Sequence, residues 1–171
     1  MPAFVKRLLL CFALFSASSV SGAAEPLDPV TGDVMMTVRG GISVTNAEGE
    51  AVFDQALLEA MGVDVVETGT IWTEGVRKFE GVSLDRLLER LGAKGSAIRL
   101  TALNEYAVEF PMDVAAKGGP ILAYRMDGVA LSPRDKGPIW MIFPFDTAPQ
   151  YQNEVSYSRS VWQLHMIEVL P

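Results

Sequence analysis

The chain has almost no sulfur or imidazole chemistry available to it. Its 171 residues include one cysteine, Cys11, and one histidine, His165. Cys11 lies in a segment that we predict to be removed on export, which would leave a mature chain with no thiol. That excludes disulfides, thiolate–metal sites, iron–sulfur clusters and a cysteine nucleophile. A single histidine is also too few for a transition-metal centre built on imidazole ligands.

The first 24 residues have the three-part pattern of a secretory signal peptide. Lys6 and Arg7 supply the positive start, residues 8–15 form an apolar core (LLLCFALF), and small residues follow (SASSVSGAA). The core is about half the length of roughly 20 residues that a membrane-spanning helix needs. We therefore predict a signal peptide at 1–24, a single domain at 25–171, a periplasmic location and no membrane insertion after cleavage.

Basic residues are also scarce. Without Lys6 and Arg7 the chain has 12 basic and 21 acidic residues, which gives a net charge of about −9. An acidic surface argues against nucleic acid and anionic lipid as partners. The remaining chain of about 147 residues has the usual length of one domain and can bury a core without disulfides.

The hydrophobic periodicity predicts an α+β domain with two or three short helices among about eight strands. Hairpin spacing, including Asp127-Gly128, favours antiparallel or mixed sheets. Asp54 and Ser83 are the predicted helix N-caps. Residues 68–81 and 145–157 are expected to be loops, and residues 42–45 to continue the first strand. The predicted strands are 34–38, 63–68, 98–102, 106–110, 121–126, 129–131, 139–143 and 160–169, and the predicted helices are 53–61 and 83–91.

Three loop segments carry polar and aromatic side chains beyond what a connection needs. They read TGTIWTE at 68–74, NEY at 104–106 and FDTAPQYQNEVSYSR at 145–159. Aromatic faces, amides, hydroxyls, one arginine and a few carboxylates suit a flat polar heterocycle or a small sugar-like ligand. The chain contains no hydrolase, zinc-protease, phosphate-loop or paired-cysteine motif, so the residues define no reaction.

Several of these residues have an equally simple structural interpretation. Trp72 and Trp140 can fill a core, Asn104 can occupy a turn, and Arg159 can form a surface ion pair. His165 alternates within the last predicted strand and is interpreted as an ordinary sheet residue.

Four segments in order resemble the molybdopterin-binding domain of the sulfite oxidase superfamily. They read FEGVSLDRLLERLGA (79–93), TALNEYAVEFP (101–111), ILAYRMDGVALSPRDKGPIWMIFP (121–144) and YSRSVWQLHMIEV (157–169). The resemblance extends from about residue 66 to the C-terminus. It implies a sulfite oxidase-like molybdopterin-binding fold, with mixed or antiparallel sheets and a few short helices.

The resemblance does not extend to the residue that binds the metal. It implies a molybdenum ion bound by a cysteine thiolate upstream of the helix at 83–91, but residues 67–70 read ETGT. A hydroxyl does not replace a soft anionic thiolate. The basic residues that hold the cofactor's phosphate in that family are not evident either. We therefore expect no molybdenum cofactor, no metal ligands and no catalytic residues, although enzymatic activity stays open.

The chain also resembles small exported proteins of this fold that bind a metal-free pterin. They act as periplasmic sensors that pair with the periplasmic part of an inner-membrane GGDEF–EAL-type enzyme, which makes or degrades cyclic di-GMP. The motifs TxWT, ALNxY, RDKGPxW and SRSxWQL resemble theirs. The resemblance implies a pterin ligand, that protein partner, and pterin contacts from Thr70, Trp72, Asn104, Tyr106, Trp140, Asp146, Tyr157, Ser158 and Arg159.

Specific roles follow for some of these residues. Trp72 or Tyr106 is expected to stack on the ring, because aromatic pairs add about 0.5–1.5 kcal/mol beyond area burial. Asn104 and Asp146 are expected to pair with the polar edge of the pterin. Arg159, with its neighbours Tyr157 and Ser158, is expected to contact the 4-oxo group or the side-chain hydroxyls.

Two alternative functions stay open at this point. One is a molybdopterin-dependent oxidoreductase of the sulfite oxidase type whose metal is held without a protein thiolate. The other is a binding module with a vestigial pocket that acts through a protein–protein contact. Elemental analysis distinguishes the first alternative. Partner binding by Trp72→Ala and Asn104→Ala variants distinguishes the second.

Overall fold

Residues 25–171 form two five-stranded sheets with three short α-helices in the computed structural model, which describes this part of the chain. The predicted signal peptide at 1–24 lies outside the described residues. The first sheet has the spatial order β2 (Glu50–Phe53), β1 (Met36–Gly40), β10 (Leu164–Leu170), β5 (Ala97–Ala102) and β6 (Ala107–Pro111). β1 runs parallel to β10, and the other pairs in this sheet are antiparallel.

The second sheet is antiparallel throughout. Its order is β3 (Asp64–Gly69), β4 (Val76–Ser83), β7 (Ile121–Met126) and β8 (Val129–Ala130), and β9 (Trp140–Ile142) also pairs with β7. The helices are α1 (Gln55–Ala60), α2 (Leu84–Arg90) and α3 (Glu154–Arg159). The predicted α+β class with mixed sheets is confirmed.

Asp54 is the N-cap of α1, as predicted. Its carboxylate accepts the backbone N–H of Leu57 at 2.9 Å. The second oxygen accepts the N–H groups of Thr31 and Gly32 at 3.0 and 2.9 Å. These hydrogen bonds lower the pKa of Asp54, and the one from Leu57 has the largest effect. One side chain therefore both starts the helix and fastens the preceding segment to it.

Ser83 occupies the N-cap position of α2, but its side chain forms no capping hydrogen bond. Its backbone N–H donates to Asp64 Oδ2 at 2.8 Å. Arg86 holds the same carboxylate with two hydrogen bonds of 2.8 and 3.0 Å. The start of α2 is thus fixed by a side chain of β3. The predicted apolar stripe of the helix is buried, and it comprises Leu84, Leu87, Leu88 and Leu91.

Three local predictions were wrong, two because of a long-range contact and the third because of a local helix cap. Residues 76–83 form β4 instead of continuing the loop expected at 68–81, because β3 and β7 pair with them from both sides. Residues 42–45 form no strand, since Ser43 and Val44 donate their N–H groups to the carbonyl of Leu91. Residues 154–159 form α3, capped by Asn153, and the last strand begins at Leu164.

β7 is buried on both faces and divides the core in two. Leu122 and Tyr124 face the main cluster between the sheets and helices. Ile121 and Ala123 face a smaller cluster that also contains Trp140, and Trp72 packs against its edge. The smaller cluster therefore supports the surface at which the conspicuous aromatic residues meet. Within residues 25–171 no helix has the length and apolarity needed to cross a membrane.

Candidate functional site

A cleft of about 340 Å³ opens where three connecting segments meet. These segments are the loop after β3, the turn between β5 and β6, and the chain from the end of α3 to the start of β10. The volume falls in the range of about 300–1,000 Å³ that is typical of small-molecule sites. The lining contains no charged side chain and consists of Trp72, Ala102, Asn104, Tyr106, Tyr157, Ser158, Ser160, Val161 and Trp162.

Trp72 is the centre of the aromatic wall. Its ring centroid lies 5.6 Å from that of Trp162, 5.8 Å from Trp140 and 6.0 Å from Tyr157, all in edge-to-face geometry. Trp140 is fully buried behind Trp72, and its Nε1 donates to the carbonyl of Ser160 at 3.2 Å. Trp140 therefore supports the wall from the core and does not line the cleft, in agreement with its structural interpretation.

Hydroxyl groups fix the loop that carries Trp72. The hydroxyls of Thr70 and Thr73 share a hydrogen bond of 2.8 Å, and Trp72 N–H donates to Thr70 Oγ1 at 3.1 Å. At the base of the loop, Gly69 N–H donates to Asp146 Oδ2 at 2.6 Å. Thr70 and Asp146 border an adjacent shallow depression instead of the cleft. Of the predicted contact residues, these two act by holding the loop.

The turn between β5 and β6 is fastened to α3. Asn104 Oδ1 accepts the backbone N–H of Tyr106 at 3.1 Å, and Glu105 between them has φ of +66°. Tyr106 then donates its hydroxyl to the carbonyl of Ser158 at 3.1 Å. Asn104 is thus a turn residue and also a residue of the cleft wall. The predicted site residues that the fold brings to one cleft are Trp72, Asn104, Tyr106, Tyr157 and Ser158.

Arg159 lies apart from the cleft lining. Its guanidinium sits 5.1 Å from the ring centroid of Phe110, in a cation–π contact. It forms no salt bridge within residues 25–171, so the ion-pair interpretation was wrong. His165 lies within β10, as expected of an ordinary sheet residue.

The sequence analysis did not select four residues of the lining. Trp162 is the most important of them, because 37% of it is exposed and its ring packs on Trp72. It belongs to the quoted motif SRSxWQL, and an aromatic side chain so near Tyr157 was a usable signal. The others, which are small or aliphatic and carry no comparable signal, are Ala102, Ser160 and Val161.

Comparisons with known proteins agree with this architecture. The sequence model described as "Oxidoreductase molybdopterin binding domain" matches residues 51–150. The fold is similar to that of the sulfane dehydrogenase SoxCD from Paracoccus pantotrophus, with a TM-score of 0.56 and 17% sequence identity. The similarity covers 80% of this chain but only 38% of the SoxCD chain. No curated protein sequence matches the chain.

The site fits one part of a molybdopterin cofactor and not the others. Aromatic rings and an amide suit a pterin ring. The end of β3, where the resemblance implies a thiolate, offers the carboxylate of Glu67 and the hydroxyls of Thr68 and Thr70 but no sulfur, and residues 25–171 contain no cysteine. Within the described residues no group of three His, Cys, Asp or Glu side chains could hold a metal. No Lys or Arg side chain lines the cleft to bind a phosphate.

Proposed function

The chain belongs to the oxidoreductase molybdopterin binding domain family, and from this premise we propose that its cleft binds a metal-free pterin as a ligand. One observation carries the proposal: an uncharged cleft has walls formed by Trp72, Tyr106, Tyr157 and Trp162, with the amide of Asn104 at its side. A flat bicyclic ring can pack against such walls. Stacking contributes about 0.5–1.5 kcal/mol beyond area burial.

The electrostatics of the cleft support an unphosphorylated ligand. A phosphate is normally recognised by Arg, Lys or a set of backbone N–H groups. Lys136 and Arg159 lie over the rings of Trp140 and Phe110, and neither side chain lines the cleft. An acidic protein would also repel a phosphorylated ligand. The molybdenum cofactor, with its phosphate and its need for a thiolate, is therefore a poorer match than the bare ring.

The direct test is recovery and rebinding of the ligand. The protein, purified from the compartment in which it is made, should carry a fluorescent pterin that mass spectrometry identifies. Calorimetry on the emptied protein should then show binding of a neopterin-type compound. Tyr106→Ala should weaken binding about tenfold, because it removes one aromatic wall of the cleft. Tyr106 is 47% exposed, so it can be truncated without opening the core. Val129→Ala, a truncation of an exposed side chain outside the cleft, is the control.

A molybdopterin-dependent oxidoreductase is the second candidate, and the family match itself favours it. Elemental analysis separates the two candidates. One molybdenum per protein chain, with sulfur-compound oxidation or another redox turnover, would overturn the metal-free proposal. Recovery of a pterin without molybdenum would support it.

The sensor role implied by the sequence resemblance stays a prediction. We propose that the protein, exported to the periplasm, regulates an inner-membrane GGDEF–EAL-type enzyme of cyclic di-GMP through that enzyme's periplasmic domain. The ligand can do this only by binding more tightly to the partner-competent state. Cyclic di-GMP turnover by the partner should therefore respond to a pterin with the wild-type protein and not with Trp72→Ala or Asn104→Ala. An unchanged partner interaction without ligand would instead favour a vestigial pocket.

A further inference from the structure

The walls of the cleft contain unused hydrogen-bond donors. Asn104 Oδ1 is occupied by the N–H of Tyr106 at 3.1 Å, so the two N–H bonds of the amide nitrogen are the part of this side chain left for a ligand. Within residues 25–171 no hydrogen bond engages that nitrogen, the hydroxyl of Tyr157, or the indole N–H of Trp72 or Trp162. The residues that carry these groups line one cleft.

No carboxylate lines the cleft, and most of its main-chain acceptors are already engaged. Six of the nine lining residues have a carbonyl that already accepts a hydrogen bond. The donors are Glu105 N to Ala102 O, Ala102 N to Tyr106 O, Ser160 N to Tyr157 O, Tyr106 Oη to Ser158 O, Trp140 Nε1 to Ser160 O and Met141 N to Val161 O.

The hydroxyl protons of two lining serines are also committed, although their oxygens can still accept a hydrogen bond. Ser158 donates its hydroxyl to the carbonyl of Val155 at 2.8 Å. Ser160 is 3% exposed and donates to the carbonyl of Ser156 at 3.2 Å. The neutral acceptors of the lining are hydroxyl oxygens and carbonyls, whereas its amide and indole N–H groups can only donate. A ligand that placed its own N–H groups against those N–H groups would leave them unpaired, at a cost of about a tenfold loss of affinity for each group.

Resting on the proposed function, we infer that the cleft recognises a pterin by its hydrogen-bond acceptors, the 4-oxo oxygen and ring nitrogens, with the Asn104 amide nitrogen as the selecting donor. The 2-amino group then points to the open mouth of the cleft and contributes little. This differs from the expectation that a carboxylate, Asp146, pairs with the polar edge. Asp146 borders the adjacent depression, and its Oδ2 already accepts the N–H of Gly69.

The inference predicts a specific ligand preference. Lumazine has a 2-oxo group in place of the 2-amino group of pterin and carries a hydrogen on N1, and it keeps the 4-oxo oxygen, N5 and N8 of pterin as hydrogen-bond acceptors. Under conditions in which both rings are neutral, lumazine should bind the wild-type protein as tightly as pterin or more tightly. Intrinsic fluorescence can follow both titrations, because all three tryptophans of the chain belong to the cluster around the cleft.

A matched pair of substitutions tests the role of Asn104. Asn104→Asp keeps the oxygen that accepts the N–H of Tyr106 and replaces the two donors by an anionic acceptor. It should weaken the binding of both rings about tenfold, because the carboxylate would face the 4-oxo oxygen that both rings share. Asn153→Asp is the control, because it makes the same chemical change at the N-cap of α3, where a carboxylate also caps. Its affinities should equal those of the wild-type protein.

The outcomes separate this inference from the proposed function. If neither ring binds the wild-type protein, both fail. If pterin binds and lumazine binds more than about tenfold more weakly, pterin binding stands and the inference is overturned. If Asn104→Asp binds both rings as tightly as the wild-type protein, the amide nitrogen donates to neither ring and the inference is again overturned. A loss of affinity for both rings in this variant, together with wild-type binding of lumazine at least as tight as that of pterin, supports it.

Discussion

Replacing Trp72 is the most informative perturbation of the site, because this side chain connects the smaller core cluster to the cleft. Truncating a fully buried Trp to Ala typically costs about 3–5 kcal/mol. Trp72 is half-buried, so about half of that is expected from packing. Its edge-to-face contacts with Trp140, Tyr157 and Trp162 add about 0.5–1.5 kcal/mol each, shared with the packing term. We expect Trp72→Ala to lower the free energy of unfolding by about 3 kcal/mol.

Urea unfolding followed by far-ultraviolet circular dichroism measures this loss without depending on the deleted fluorophore. A loss of about 3 kcal/mol corresponds to a fall in Tm of roughly 9 °C for a domain of this size. Trp72→Phe keeps an aromatic ring and should cost about 1 kcal/mol, while weakening the binding of a pterin less than Trp72→Ala does. A destabilisation by Trp72→Ala below about 0.5 kcal/mol would show that the ring lies on the surface without structural contacts.

Three further substitutions test other parts of the structure. Tyr124→Phe should stabilise the protein by about 1 kcal/mol in urea unfolding, because its hydroxyl is buried without a partner in the described chain and burial raises its pKa; a loss of stability would contradict this. Gly81→Ala should destabilise by about 3 kcal/mol, because a β-carbon there would collide with the carbonyl oxygen of Leu122, and a wild-type Tm would refute that contact. Asp54→Asn should be less stable than wild type at neutral pH. The pKa of Asp54 is lowered in the folded protein, so its stabilising effect is present above the unfolded pKa of about 3.9 and is lost as the pH falls through the folded pKa. The difference in stability between wild type and variant should therefore shrink in acid. A difference that does not change with pH would refute this assignment.

The sequence predicted well wherever a local signal and the tertiary structure agree. Asp54 and the leucine stripe of α2 are examples, because a helix cap and a helical periodicity both depend on residues that are close in sequence. β4 could not be found in this way. Polar and apolar residues alternate poorly along 76–83, because both faces of the second half of the strand are buried. This segment becomes a strand because it pairs with β3 and β7.

The candidate site was also predictable only in part. The aromatic and amide residues of the cleft were conspicuous in loops, and the fold brings Trp72, Asn104 and Tyr157 together. Their depth was not predictable, because burial depends on partners far away in the chain. Trp140 is in the core since β9 pairs with β7, whereas Trp162 lies at the cleft because the chain enters β10 only at Leu164.

The end of β3 explains how this fold can keep an organised cleft without a thiolate. Thr68 is fully buried, accepts the N–H of Asp146 at 3.1 Å and donates to the carbonyl of Gly69 at 3.2 Å. Asp146 in turn accepts the N–H of Gly69. The polar groups at this position are therefore engaged with each other, and they tie β3 to the segment after β9. Because Trp72 lies only three residues beyond Gly69, that connection fixes the start of the loop that presents its ring. In this chain the segment that the family resemblance associates with metal ligation holds an aromatic wall in place.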